Sequence, residues 1–300
     1  MTLSFRLGKI PVRIHPSFFL VAVLFGLYGT DVRVLLAWVV IVFVSVILHE
    51  LGHATMGLTF GLAPAIDLHG MGGTTSWSSG PPLNTLKRIA VSLAGPGAGF
   101  LVAAFVRYAL GRGVFPATPL GTFVYDNLLF VNFGWGILNL LPMLPLDGGN
   151  VMTQVLNAFT GGRGERPARI VSIVVASLAI PVALLFQNWW AGLLAGSFIV
   201  TNVRGLRDSK AREHDAPMHA TLEQAYAALN AKDAARVLSL ARPVALTSQT
   251  APVRAEALQL VAFGFLLEGR VADADAAIAA LPQGFKPHPS LLEMRARAAG

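Results

Sequence analysis

The sequence contains no cysteine, and only 13% of its 300 residues are charged. The absence of cysteine excludes disulfides, thiolate nucleophiles and cysteine-ligated zinc, so any metal site must use histidine and carboxylate side chains. Soluble domains carry about 25% charged residues, whereas 54% of this chain is hydrophobic. The apolar excess lies in residues 1–207, which predicts a membrane domain there and a soluble domain over residues 208–300.

Apolar runs of membrane length, or slightly shorter, predict about six spans. The first run follows three cations and resembles a signal peptide, but no small-x-small cleavage site follows it, so we expect it to be retained. The predicted spans are residues 16–29, 34–59, 89–110, 123–141, 170–186 and 189–203.

The net charge of +7 does not indicate nucleic-acid binding, because the cations flank apolar runs and form no basic stripe with interleaved aromatics. Lys and Arg stay on the cytoplasmic side of spans. With the N-terminus inside, most cations near the spans lie inside, which predicts a multi-pass cell-membrane protein with both termini cytoplasmic. The inner cations are Arg6, Lys9, Arg13, Lys87, Arg88, Arg163, Arg166, Arg169, Arg204, Arg207, Lys210 and Arg212.

The connection from Gly61 to Pro82 contains two short strand-like runs, 65–69 and 74–77, joined by a glycine-rich turn. This pattern predicts a β-hairpin, which at membrane depth must be buried in protein or line a wet cavity. A surface loop on the inner face is the alternative. The predicted fold is therefore a mainly α-helical membrane bundle with a small membrane-associated β-hairpin and a C-terminal all-α soluble domain.

His49, Glu50 and His53 form an HExxH motif inside an apolar run. Residues four apart share a helix face, so both imidazoles can reach one ion, with Glu50 beside it as a base. A catalytic Zn²⁺ requires a third protein ligand and one open position. We predict that Asp147 is this ligand; alternatively, Asp147 caps a helix over residues 150–159.

Flanking residues carry a resemblance to a known family. HExxH in one span, followed by Asn139-Leu-Leu-Pro-Met-Leu-Pro-Leu-Asp147-Gly-Gly in a later one, resembles the site-2 proteases, which are intramembrane zinc metalloproteases. The resemblance covers about residues 10–205 and includes His15-Pro16 and the segment 92–96. It implies that His49, His53 and Asp147 bind zinc, that Glu50 is the general base, and that Asn139 helps to hold or polarise the scissile carbonyl.

The resemblance implies an endopeptidase that cuts a single-span membrane protein within or near its transmembrane segment, as in regulated intramembrane proteolysis. A prenyl-protein type of membrane protease would need a later glutamate ligand, and no later glutamate lies in a suitable span. The alternative from another class is a non-catalytic membrane scaffold whose helical tail recruits partners.

Other polar and small residues in the spans favour structural roles. Asn132 is expected to form an interhelical hydrogen bond. His15 and His69 are expected to lie at the membrane interface. The small residues around Gly95 and Gly97 predict close approach of a neighbouring helix.

Beyond Arg212 the composition becomes polar and alanine-rich, with helical periodicity at about 220–230, 233–245, 252–268, 271–281 and 289–298. Part of this pattern fits one tetratricopeptide-like helix pair, and a generic helical hairpin domain fits equally well. Either form would bind a peptide or protein partner at the inner face of the membrane.

Overall fold

A computed structural model describes residues 2–27 and 31–298 of the chain. The chain forms two compact units, Met1–Val203 and Arg204–Gly300. The first unit contains the HExxH and DGG motifs, so its packing decides whether these motifs meet. The second unit contains only helices in its described part.

The first unit contains a four-stranded sheet in the order β1-β2-β3-β4. β1 pairs antiparallel with β2, β2 pairs parallel with β3, and β3 pairs antiparallel with β4. The predicted hairpin is confirmed as β3 and β4, but it is only half of the sheet. The strands are β1 (Leu3–Leu7), β2 (Ile10–Ile14), β3 (Pro64–His69) and β4 (Gly72–Trp77).

The inner face of the sheet is part of the first unit's apolar core. Val12 of β2 lies opposite Ile66 of β3, and both side chains are fully buried. Alternate burial of Ile10, Val12 and Ile14 is the period-two pattern of a strand with one covered face. The hairpin is therefore covered by protein on this face, as backbone near membrane depth requires.

Within residues 2–27 and 31–203, eight helices and one π-helical turn accompany the sheet. Asp31, Asn84 and Thr118 accept backbone amide hydrogen bonds at the starts of α2, α3 and α4 respectively, which fixes where these helices begin. The helices are α1 (Pro16–Gly26), α2 (Val32–Thr59), α3 (Thr85–Gly111), α4 (Pro119–Leu129), α5 (Trp135–Asn139), α6 (Asp147–Thr160), α7 (Glu165–Leu185) and α8 (Trp189–Asp215), with the π-turn at Phe130–Gly134.

Three helices of the described chain, α2, α3 and α7, are long and apolar enough to cross a membrane. They match the predicted spans 34–59, 89–110 and 170–186. α1 is apolar but has only 11 residues. The fourth predicted span is divided among α4, the π-turn and α5. The count of six spans stays a prediction.

Small residues bring α2 and α3 into close contact. A side chain at Gly52 would collide with the backbone of Ala94 and with the Ala98 methyl group, and one at Gly95 would collide with both motif histidines. Gly97 faces open space. The predicted close approach is therefore confirmed at Gly95 but not at Gly97, because successive helical residues point in different directions.

The second unit is built from five further helices near the predicted positions. Leu222, Val237, Leu260, Phe265 and Leu291 lie in its buried core. The tetratricopeptide-like assignment of these helices stays a prediction. They are α9 (Met218–Asn230), α10 (Ala234–Thr247), α11 (Ala251–Leu267), α12 (Val271–Ala279) and α13 (Pro289–Ala298).

Asp215, the last residue of α8, anchors the loop before α11. Its buried carboxylate accepts hydrogen bonds from the amides of Gln249 and Thr250 and from the Thr250 hydroxyl at 2.6–3.2 Å. Burial alone would raise the pKa of Asp215, but these donors outweigh burial and lower the pKa below its ordinary value.

Replacing Asp215 with Ala should destabilise the second unit, because it leaves buried donors without an acceptor, at about 1–3 kcal/mol. The lowered pKa means that the carboxylate contributes full stability above its unfolded pKa of about 4 and loses it as pH falls through the folded value. Thermal unfolding of the detergent-solubilised protein from pH 7 to 3 should show a smaller acid-dependent decrease in D215A. Equal decreases in variant and wild type would contradict this role.

Candidate metal centre

The helical geometry of α2 places His49 and His53 on one face. They lie four residues apart, and their Nε2 atoms are 3.2 Å from each other. Both rings are mostly buried, with side-chain exposures of 16% and 9%. The predicted convergence of the two imidazoles is therefore present in the structure.

Asp147 completes the cluster from the first turn of α6. One carboxylate oxygen lies 3.2 Å from Nε2 of His49, and the other lies 3.3 Å from Nε2 of His53. The N-cap position of α6 belongs to Leu146, so Asp147 does not cap the helix from that position as the alternative interpretation required. Its negative charge also lies at the positive end of the helix dipole.

The donor set and its spacing fit a zinc ion. Zinc binds histidine nitrogen and carboxylate oxygen at about 2.0–2.2 Å, so tetrahedral ligand atoms lie about 3.3–3.6 Å apart. The separations of 3.2, 3.2 and 3.3 Å among His49, His53 and Asp147 are close to these values. Three protein ligands leave the fourth position for water or substrate, as in catalytic zinc sites.

A backbone carbonyl orients one of the imidazoles. Nδ1 of His53 lies 2.7 Å from the Val91 carbonyl oxygen on α3. Because a carbonyl only accepts hydrogen bonds, Nδ1 carries a proton, so in the neutral tautomer the lone pair lies on Nε2, which faces the cluster. This partner outside the ligand set fixes both the tautomer and the ring orientation.

The carboxylate of Glu50 is buried beside the cluster, with the residue only 5% exposed. Its Oε2 accepts a hydrogen bond of 2.7 Å from the Thr75 hydroxyl on β4. Gly73 of the same strand packs against the carboxylate so closely that a methyl group there would lie 2.5–2.8 Å from the Glu50 side chain. Glu50 therefore extends from α2 beside the cluster, and β4 of the sheet covers its side chain.

Gly95 leaves room for the two imidazoles at the contact between α2 and α3. A Cβ atom at this position would overlap Nε2 of both His53 and His49, whereas one at Gly97 would meet nothing within 4 Å. The absence of a side chain at Gly95 is therefore required by the cluster itself.

Replacing Gly95 with Ala should weaken zinc binding at least about tenfold, because the methyl group displaces the imidazoles that face the ion. Gly97→Ala is the matched control in the same helix, with the same gain in helix propensity, and should bind zinc as the wild type does. Competition with a zinc chelator on purified protein measures both affinities. Equal zinc affinity in G95A and G97A would contradict the close contact.

Two helices hold the segment that leads to Asp147. Ser172 of α7 accepts a 2.8 Å hydrogen bond from the Leu144 amide, and Asn202 of α8 donates a 2.7 Å bond to the Leu144 carbonyl. Ser172 and Asn202 are both fully buried. Leu144 lies three residues before Asp147, so these bonds fix the backbone immediately before the carboxylate.

Glycine lets this segment fold tightly against the start of α6. Side chains at Gly148 and Gly149 would collide with backbone atoms of residues 140–144. The two glycines after Asp147 therefore serve close packing, and Asp147 supplies the functional group.

Replacing Ser172 with Ala should lower zinc affinity about 10-fold to 100-fold, because the Leu144 amide loses its acceptor and Asp147 is held less firmly. Ser197→Ala is the control, because within residues 2–27 and 31–298 the Ser197 hydroxyl bonds only to the Leu194 carbonyl of its own helix. Zinc titration of both metal-depleted proteins checks the difference. A zinc affinity of S172A equal to that of S197A would count against the role of the Leu144 contacts.

Asn139 lies half-buried at the end of α5. Its side chain has no hydrogen-bond partner among residues 2–27 and 31–298, and its proposed action on the scissile carbonyl stays a prediction. Asn132 donates a 2.8 Å hydrogen bond to Ser45 of α2, which confirms the predicted interhelical bond. His15 lies 4.0 Å from Asp67, and His69 accepts a bond from its own turn.

Several known proteins are similar to this chain in sequence. The model of peptidase family M50 matches residues 119–184, which include Asn139 and Asp147. A putative zinc metalloprotease of Synechocystis is 29% identical over 229 residues, covering 67% of this chain and 59% of the relative. A zinc metalloprotease of Methanocaldococcus jannaschii is 29% identical over 206 residues, covering 67% and 57% respectively. The chain is thus similar to peptidase family M50 over residues 119–184 and to zinc metalloproteases over two thirds of its length.

A solved structure has a similar fold. The site-2 protease from Methanocaldococcus jannaschii has a TM-score of 0.51 at 22% identity, and the match covers 69% of this chain and 95% of that one. At this identity the match supports the fold alone. The chain spans just under three fifths of the length of the two sequence relatives, 59% and 57%.

The sequence pattern did not identify Thr75, Ser172 and Asn202 as residues that support the metal centre. Ser172 and Asn202 are polar residues within predicted spans, a placement that often marks a functional or packing contact. That signal identifies the residues but not their common partner, Leu144. Thr75 lies in the predicted hairpin, where no sequence pattern indicates a contact with Glu50.

Proposed function

We propose that the chain is an intramembrane zinc endopeptidase that cuts a single-span membrane protein within or near its transmembrane segment. His49, His53 and Asp147 would bind the zinc, and Glu50 would act as the general base. The observation that carries this proposal is a set of three short distances between two helices far apart in sequence. The two imidazole Nε2 atoms lie 3.2 Å apart, and each lies 3.2–3.3 Å from one of the two Asp147 carboxylate oxygens. The similarity to peptidase family M50 and to zinc metalloproteases supports the same chemistry.

The electrostatics of the cluster also favour a bound cation. Two neutral imidazole nitrogens and a carboxylate would present lone pairs to one another, an arrangement that is repulsive without a cation between them. When bound there, zinc supplies Lewis acidity toward a substrate carbonyl and lowers the pKa of water.

Glu50 and Asn139 would carry out the other steps of peptide hydrolysis. Glu50 accepts a proton from the attacking water and passes it to the leaving amine, yielding two peptides. Asn139 donates a hydrogen bond to the developing oxyanion from the end of α5. Burial of Glu50 limits competition from bulk water during proton transfer.

The membrane setting determines how a substrate must be presented. A helical substrate holds its carbonyls in intrahelical hydrogen bonds, so it must unwind locally before cleavage. β4 is the last strand of the sheet order, and an extended substrate segment would pair with it by strand addition. Residues that weaken helices should therefore favour cleavage of the substrate.

We also propose a six-span arrangement in the cell membrane with both termini cytoplasmic, supported by the distribution of cations around the apolar runs. Residues 1–207 would form the protease domain in contact with the lipid bilayer. The helical domain over residues 208–300, tetratricopeptide-like in its spacing, would bind a peptide or protein partner. Cleavage would then release a signalling fragment, as in regulated intramembrane proteolysis.

Replacing Glu50 with Gln should abolish cleavage and leave zinc binding intact, because the general base is lost while all three ligands remain. Co-expression with candidate single-span membrane proteins, followed by mass spectrometry of the fragments, measures cleavage. Metal analysis of the same purified proteins measures zinc. Substoichiometric zinc in the wild type, or fragments that persist in E50Q, would refute the peptidase assignment; the first result would favour a scaffold.

A further inference from the structure

We propose that Thr75 of β4 is a positioning residue that orients the Glu50 carboxylate for catalysis. This inference rests on the proposed function, in which Glu50 is the general base. It assigns to the sheet a part in the chemical step, beyond pairing with a substrate. The contact joins residues 25 positions apart on two different elements.

The Thr75 hydroxyl is the sole hydrogen-bond partner of the Glu50 carboxylate within residues 2–27 and 31–298. The bond to Oε2 is 2.7 Å long, and the same hydroxyl lies 3.2 Å from the Glu50 backbone carbonyl oxygen. A glutamate has three rotatable side-chain torsions, so one short bond to a charged oxygen restricts where the carboxylate lies. Oε1 remains available to accept a proton.

A second restraint on the Glu50 side chain comes from Gly73, on the same face of β4 as Thr75. Gly73 and Thr75 are two residues apart on β4, so both face α2. A Cβ atom at Gly73 would lie 2.6 Å from Oε1 of Glu50 and 2.5 Å from its Cγ. The strand therefore packs closely against the Glu50 side chain at Gly73, and it donates a hydrogen bond to the carboxylate from Thr75.

β4 is itself fixed to α2 at a second place. A side chain at Gly57 of α2 would overlap the indole ring of Trp77, which shows how closely this ring packs on the helix. Thr75 is paired with the fully buried Ile66 of β3. The hydroxyl is thus presented from a strand with restraints on both sides, as a positioning role requires.

The test compares Thr75→Val with Thr75→Ser. Valine keeps the shape and strand propensity of threonine but removes the donor, and serine keeps the donor. Thr74→Val is the matched control, because the adjacent Thr74 is exposed and faces away from Glu50. Each variant is assayed in full-length protein for kcat and KM on a substrate cleaved by the wild type, and for zinc affinity by chelator competition.

We expect T75V to lose about 10-fold to 100-fold in kcat, with KM and zinc affinity within about twofold of the wild type, since the base is misplaced but the ligands are not. T75S should recover most of the lost rate, and T74V should match the wild type.

Several results would overturn the inference. These are an unchanged kcat in T75V, equal losses in T75V and T75S, or a fall in zinc affinity in T75V, the last two indicating a structural role. A wild type that neither cleaves nor binds zinc would instead refute the proposed function, and the inference with it. Wild-type cleavage that E50Q abolishes, together with full activity in T75V, refutes the inference alone.

Discussion

The contact between Asp147 and the two imidazoles of α2 is the constraint on which the first unit depends. It joins residues 94 and 98 positions apart, and it places three polar side chains in the apolar part of the chain. An ionisable group at membrane depth costs on the order of 3 kcal/mol by insertion scales. This cost is offset only if the groups hydrogen-bond to one another or share a cation. The packing of α2, α3 and α6 must therefore place the three side chains accurately, to within a few tenths of an ångström of the distances that such contacts require.

The chain achieves this placement mainly through residues that have small side chains or none. Gly52 and Gly95 allow α2 and α3 to approach, and Gly148 and Gly149 allow α6 to start directly against the preceding turn. Between membrane helices the hydrophobic effect gives little preference, so close packing and interhelical hydrogen bonds determine association. Ser172 and Asn202 supply such hydrogen bonds to Leu144, in the segment between α5 and α6 where the regular helix is interrupted.

The sequence predicts the parts of the site that share a helix or a short motif. HExxH places His49 and His53 on one face because helix geometry alone decides that, and three of the predicted spans appear as long apolar helices. The four-stranded sheet was not predicted, because β2 joins β3 by parallel pairing across more than 50 residues, for example Val12 with Ile66. The contact of Thr75 with Glu50 depends on that pairing, so local pattern contains no signal for it. Asn139 shows the same limit: the family resemblance implies a role at the scissile carbonyl, but the direction of its side chain depends on how α5 ends.

The sheet connects the N-terminal strands with the proposed base through a continuous series of contacts. Val12 and Ile66 bury the β2–β3 pair against the helices, Ile66 pairs with Thr75, and Thr75 donates to Glu50. Each step is either backbone pairing between strands or a hydrogen bond to a buried group. A shift of the strands would therefore move the Glu50 carboxylate as well. Strand addition by a substrate would act on the same β4 that holds the base. In the proposed mechanism, substrate pairing and the orientation of Glu50 would therefore be coupled, because both would depend on the position of β4.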